Sequence, residues 1–154
     1  MKQKVKVAIA LGSNLGDREK TIRVATQRIQ EEFLENVIVS SLIETEPWGI
    51  KEQPKFLNGV MVGISEWKPP AILNYLKTLE KELGRTHTVI NGPRVIDLDL
   101  VCYGDQIWNS DGVKVPHPRM STRLFVLAPL NEVWPDWIHP ELNKSPSELI
   151  REIV

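Results

Sequence analysis

Polar and apolar positions alternate from Lys4 to Val7 and then give way to an unbroken apolar run in KVKVAIAL, residues 4–11. That is the pattern of a strand entering a core. GSNLGD follows as a turn. From Asp17 to about Phe33 the apolar period lengthens to that of a helix, with Ile22, Ala25, Ile29 and Phe33 on one stripe and Asp17 suited to an N-terminal cap or the first turn. NVIVSSLIETEP is strand-like through residue 44, and TEPWGIKEQPK then reads as a loop rich in turn formers. FLNGVMVGIS, residues 56–65, is a further strand. Pro69 and Pro70 open a second helix, AILNYLKTLEKELG, which Gly84 closes. RTHTVINGP carries no stripe and reads as a loop, whereas VIDLDLVCYG is the strongest strand pattern in the chain. DQIWNSDGVKV suits a hairpin, STRLFVLAPLNEV a helix, and SPSELIREI a short last helix capped by Ser145 or Ser147.

The predicted order is β-α-β-β-α-β with a C-terminal extension. It implies an α+β protein with a ferredoxin-like core, an antiparallel sheet and helices packed on one face. Residues 1–154 read as one domain whose ends are natural domain ends. The loops at 44–56 and 85–94 are long for such a domain and suit lids over a site.

Composition narrows the class. Of the 154 residues 42% are hydrophobic and 25% charged, which supports an ordinary core. A net charge of −1 gives no global signature for nucleic acid, so any phosphate affinity is local. The lysine-bearing N-terminus lacks a long apolar segment and a small-residue cleavage site, and reads as a first strand. No apolar run reaches the length of a membrane span. The single cysteine, Cys102, reads as a small core residue and fits a reducing cytoplasm. No large apolar stripe is left unassigned, so a monomer is expected.

The chemistry centres on Asp97 and Asp99. Strand alternation sends Ile96, Leu98, Leu100 and Cys102 to one face and both aspartates to the other, about 7 Å apart at a rise of ~3.4 Å per residue. Two such carboxylates suit Mg²⁺ whose remaining ligands are water and substrate phosphate. They equally suit a solvated sheet face, and the D-x-D spacing alone does not choose between the two.

Arg94 begins the same strand, VPHPRMSTR supplies His117, Arg119 and Arg123, and the preceding loop supplies Arg85 and His87. Guanidinium groups bind phosphate in a forked geometry, although each arginine taken singly fits a weak surface ion pair. Trp48, Phe56 and Phe125 have the faces to sandwich a flat heterocycle, and Asn58 and Thr45 the groups to read its edge. Phe56 and Phe125 also suit a plain core. The phosphate-binding P-loop, the dinucleotide fingerprint, the protein-kinase signatures and paired zinc-type cysteines are all missing from the sequence. His139, in WIHPEL, reads as structural or exposed.

ALGSNLGD, ETEPWGIKEQPKFLNGV, GPRVIDLDL and VPHPRMSTRLFVLAPL occur in that order. Together they resemble the hydroxymethyl-dihydropterin pyrophosphokinase family of folate biosynthesis across essentially the whole chain. The resemblance implies transfer of the terminal pyrophosphoryl unit of ATP to the hydroxymethyl group of a reduced pterin, with release of AMP. It implies that Asp97 and Asp99 hold two Mg²⁺ ions with ATP, Asp97 also lying by the pterin. Arg85 and Arg94 match catalytic-loop arginines that also contact ATP. His117 and Arg123 match ATP-phosphate contacts, Glu80 a position near the nucleotide, and Leu100 a position near the adenine. Phe56 and Phe125 match the rings that stack on the pterin, Asn58 its edge reader, and Thr45, Glu46 and Trp48 the loop that wraps it.

The sequence departs from that family at Asn91, at His87 and at Pro118, and its 85–94 loop is about one residue shorter than in some relatives. Two rival classes are a two-metal phosphodiesterase, which wants further acidic ligands, and a ligand-binding regulatory domain without turnover. The nucleotide product formed from Mg-ATP and the pterin separates them.

Overall fold

The computed structural model describes residues 3–46, 52–84, 95–110 and 112–153. In chain order its strands are β1 (Val5–Ser13), β2 (Leu34–Val39), β3 (Ile43–Thr45), β4 (Phe56–Ser65), β5 (Asp97–Tyr103), β6 (Trp108–Ser110) and β7 (Val113–Val115). Its helices are α1 (Arg18–Glu32), α2 (Pro69–Glu82), α3 (Leu124–Val133) and α4 (Pro146–Ile153), and a 3₁₀ turn spans Met120–Thr122.

The main sheet is antiparallel in the order β2-β4-β1-β5, with β3 pairing to the start of β4. β1 is an interior strand, paired on both sides as its near-continuous apolar run demands. The capping signals act as expected. Asp17 accepts the Lys20 N–H at the start of α1, and Gly84, at φ +102°, ends α2 in a conformation that favours glycine. Of the two serines suggested for α4, Ser145 is the cap. Its hydroxyl accepts the Glu148 N–H while Glu148 accepts the Ser145 N–H, a reciprocal capping box.

Alternation along β1 divides the core in two. Val5, Val7, Ile9 and Leu11 face α1 and α2, where they bury Ile22, Ala25, Ile29, Ile72, Leu76 and Leu79. Each such side chain contributes about 1.5–3 kcal/mol by leaving water. The expectation of helices on one face thus holds for α1 and α2. The C-terminal extension adds a third layer, because Val126, Leu127, Leu130 and Leu149 of α3 and α4 pack with Ala8, Val60 and Val62 on the opposite face.

One strand departs from simple alternation. Ala8 pairs with Cys102 and Ile9 with Leu100, so Val101 is an extra residue on β5. This bulge corrects the expected placement of Cys102, which packs with Val101 on the face carrying the aspartates. Burial raises its thiol pKa well above the ordinary range, so it stays protonated and unreactive.

Candidate active site

The third layer leaves one end of its sheet face open. There β1 presents Ala10 and Gly12, Gly12 pairing with Asp97 of β5 on one side and Asn58 of β4 on the other. Strands lie about 4.8 Å apart, so the backbones at Asp97 and Asn58 stand about 10 Å from each other across a floor nearly without side chains. A cavity of about 320 Å³ occupies this trough. A Cβ on Gly12 would stand 2.9 Å from Asn58 Oδ1 and 3.8 Å from the Phe56 ring, so the floor needs glycine.

The carboxylate wall is Asp97 and Asp99, both half-buried and both lining the cavity. Between them Leu98 points the other way into the α1–α2 core. Glu80, on α2 and only 8% exposed, lies on that same side. Its Oε2 accepts the Leu98 N–H at 2.8 Å.

Opposite the carboxylates stand His117, Arg119 and Arg123. The bulge is what seats His117, whose N–H donates to the Val101 carbonyl at 2.7 Å. His117 Nδ1 accepts the backbone N–H of Arg119 at 3.2 Å, so a neutral ring carries its proton on Nε2. Burial, with Arg123 and Arg119 adding to it and Asp97 opposing, lowers the His117 pKa, and the neutral form is favoured at pH 7. The site thus combines two anionic acceptors with two guanidinium groups and one neutral N–H donor. That set complements a polyphosphate bearing a divalent cation.

The remaining wall is aromatic and amide. Phe56 and Phe125 both line the cavity, and the Arg123 guanidinium lies 5.6 Å from the Phe125 ring centre. Asn58, 7% exposed, donates its amide to Thr45 Oγ1. Thr45 and Glu46 complete the rim.

A second cavity, of about 240 Å³, adjoins the first through Asp99 and His117. It lies between α2, β5 and the β6–β7 hairpin, with Leu100 and Val113 on its walls and Lys77 and Lys114 beside them.

The structure therefore gathers Thr45, Glu46, Phe56, Asn58, Asp97, Asp99, His117, Arg123 and Phe125 around one cavity and puts Leu100 in the next. Glu80 lines neither cavity. Trp48, Arg85 and Arg94, like His87 and Asn91, lie outside the described residues. Sequence reasoning read Gly12 as part of a turn, passed over Ala10, and named Arg119 among the candidate cations without giving it a role at the site. A glycine inside an otherwise apolar strand was the available signal for the first. For Arg119 the signal was its place between two other candidates.

Comparison with known proteins identifies a family. Residues 8–135 match the family model for 7,8-dihydro-6-hydroxymethylpterin-pyrophosphokinase (HPPK). The 2-amino-4-hydroxy-6-hydroxymethyldihydropteridine pyrophosphokinase of Aquifex aeolicus is 40% identical over 138 residues, 90% of this chain and 86% of that protein. The enzyme of that name from Bacillus subtilis is 43% identical over 126 residues, 81% of this chain and 75% of its own. The folic acid synthesis protein fol1 of Pneumocystis carinii is 40% identical over 148 residues, and this chain spans 20% of its length. Among solved structures, HPPK-DHPS of Plasmodium falciparum has a TM-score of 0.77 at 14% identity, covering 99% of this chain and 46% of that one. A family match over residues 8–135 and relatives about 40% identical, three-quarters or more of whose length this chain covers, establish that the chain belongs to the HPPK family.

Proposed function

We propose that this chain transfers the pyrophosphoryl group of ATP to 6-hydroxymethyl-7,8-dihydropterin, giving AMP and the pterin diphosphate, in folate biosynthesis. The observation that carries the reading is the junction of two cavities at Asp99 and His117. One has aromatic walls and an amide edge, and the other is apolar with lysines beside it. A phosphate chain at the junction connects a flat heterocycle on one side to a nucleoside on the other. The strand order β2-β4-β1-β5 supports a ferredoxin-like reading of the βαββαβ core.

The two-carboxylate wall fits Mg²⁺. Among the described residues no cluster of three or more His, Cys, Asp or Glu side chains is positioned to hold a metal ion. A pair of carboxylates with phosphate oxygens and water completing the shell is the donor set Mg²⁺ commonly takes. Asp97 and Asp99 would hold two such ions with ATP, and bound there they would neutralise the phosphate chain and ease ionisation of the attacking hydroxyl.

The chain's own part is positioning and electrostatics. Phe56 and Phe125 clamp the pterin ring, and Asn58, fixed by Thr45, reads its edge. The pterin hydroxyl oxygen bonds the β-phosphorus and its proton passes to solvent, while the bond from that phosphorus to the α-phosphate oxygen breaks and that oxygen leaves with AMP. His117 Nε2–H and Arg123 donate to phosphate oxygens, and Arg85 and Arg94 stabilise charge on the breaking bridge. Leu100 lies by the adenine in the second cavity. The lids expected of the 44–56 and 85–94 loops, Trp48 included, lie largely outside the described residues. The reading includes a cytoplasmic monomer without a nucleic-acid partner; among the described residues no helix is long and apolar enough to cross a membrane.

The test is to incubate the protein with Mg-ATP and the reduced pterin and identify the nucleotide product. AMP that forms only when pterin is present supports the reading. ADP, or hydrolysis without pterin, overturns it.

A further inference from the structure

Among the described residues β5 is the outermost strand on its side of the sheet, with a strand partner, β1, on one edge. In an antiparallel pair, successive residues point their N–H groups alternately toward and away from the partner. Leu98 gives its N–H to Glu80 of α2, and therefore points away from β1. The N–H groups of its neighbours Asp97 and Asp99 accordingly face β1, opposite Gly12 and Ala10. The three residues of the D-L-D segment are gripped along both edges, β1 on one and Glu80 on the other.

An uncharged acceptor would satisfy one buried N–H. A carboxylate, costly to bury, makes a shorter and stronger bond and holds the backbone harder. The two carboxylates that flank Leu98 have to keep their spacing within about half an ångström to bind a shared ligand productively. We infer that Glu80 is a positioning residue: by holding the Leu98 N–H from behind the sheet, it fixes the strand between Asp97 and Asp99 and so the separation of their carboxylates. This rests on the reading of those aspartates given above, and it assigns Glu80 a role at the strand instead of at the nucleotide.

Amide hydrogen exchange by NMR, with AMP formation measured across Mg²⁺ concentrations, tests it. In Glu80→Ala the Leu98 amide exchanges at least about 10-fold faster than in wild type, while the Asp97 and Asp99 amides stay protected by β1. The same variant needs several-fold more Mg²⁺ for half-maximal rate and loses about 10- to 100-fold in kcat. Glu80→Gln, whose amide oxygen accepts the same bond, regains the protection of Leu98 and most of the rate.

Unchanged Leu98 exchange in Glu80→Ala, or an unchanged Mg²⁺ requirement, overturns the assignment. So does a Glu80→Gln protein as impaired as Glu80→Ala. If Glu80→Ala does not fold, Glu80→Asp, one methylene too short to reach Leu98, replaces it with the same two outcomes. A wild-type protein that makes no AMP counts against the proposed reaction alone, and the exchange rates still decide the role of Glu80.

Discussion

Arg119 holds His117 through its backbone, donating its N–H to the imidazole Nδ1 at 3.2 Å while its own side chain lines the cavity beside the ring. The bond settles the tautomer, and with the lowered pKa it makes His117 a neutral donor through Nε2. Replacing His117 by Ala removes one hydrogen bond to a charged phosphate, worth about 1.5–3 kcal/mol, so kcat/KM for ATP should fall about 10- to 100-fold. The ring nitrogen shifts of the wild-type protein at pH 7 should report the Nε2–H tautomer. An imidazolium signature there would contradict the assignment.

Asp97→Ala and Asp99→Ala should each lower the rate by at least about 100-fold, the scale of losing a charged element of a phosphoryl-transfer site. Both side chains are half-exposed, and neither belongs to either core. Thermal melts should therefore stay close to wild type. A rate near wild type at ordinary Mg²⁺ in either variant would remove the metal reading.

Phe125→Ala should weaken pterin binding about 10-fold, from the loss of about 1–2 kcal/mol of ring contact, and ATP binding less. Titrating each ligand separately measures the difference. Equal losses would make Phe125 a packing residue that merely supports the Arg123 guanidinium over its ring.

Gly12→Ala probes the floor. The new methyl meets Asn58 Oδ1 at 2.9 Å, and Asn58 is itself bonded to Thr45, so the amide cannot swing aside without breaking that bond. Overpacking of this kind costs about 1–3 kcal/mol. Pterin affinity should drop by about 10-fold or more while ATP affinity changes little, as two calorimetric titrations would show.

His139 gives a pH prediction away from the site. Its Nδ1 accepts the N–H groups of Glu141 and Leu142, and burial lowers its pKa, with Glu141 opposing. The folded state therefore resists protonation more than the unfolded chain, whose histidines titrate near 6.5. The stabilisation is full above about pH 6.5 and is lost as pH falls through the lower folded value. The melting temperature should fall between pH 7.5 and 5.5. His139→Asn, whose Oδ1 takes the place of Nδ1, should flatten that dependence.

Much of this was legible in the residues because it is periodic. FLNGVMVGIS becomes β4 over the expected span, and Asp97 and Asp99 face a cavity as two-residue alternation requires. What was not legible is set by pairing between distant segments. The bulge at Val101 exists only relative to Ala8 and Ile9, so alternation misplaced Cys102. Gly12 looks like part of a turn until Asn58 and Asp97 flank it. Glu80 sits on the buried side of α2 for a reason that lies 18 positions further along the chain, at Leu98. Helical periodicity shows that it is buried but not what it meets.

The bulge also sets which changes in length the chain can accept. The aspartates before Val101 face the cavity, Val101 and Cys102 pack toward α3, and the Val101 carbonyl is where His117 docks. Deleting Val101 would restore plain alternation and leave Cys102 opposite Ala8 on the α3 side, but it would remove the carbonyl on which His117 docks. Insertions and deletions should therefore be tolerated in the connections around β5 but not within it. The count of residues from Asp97 to Tyr103 constrains this protein as tightly as their identities do.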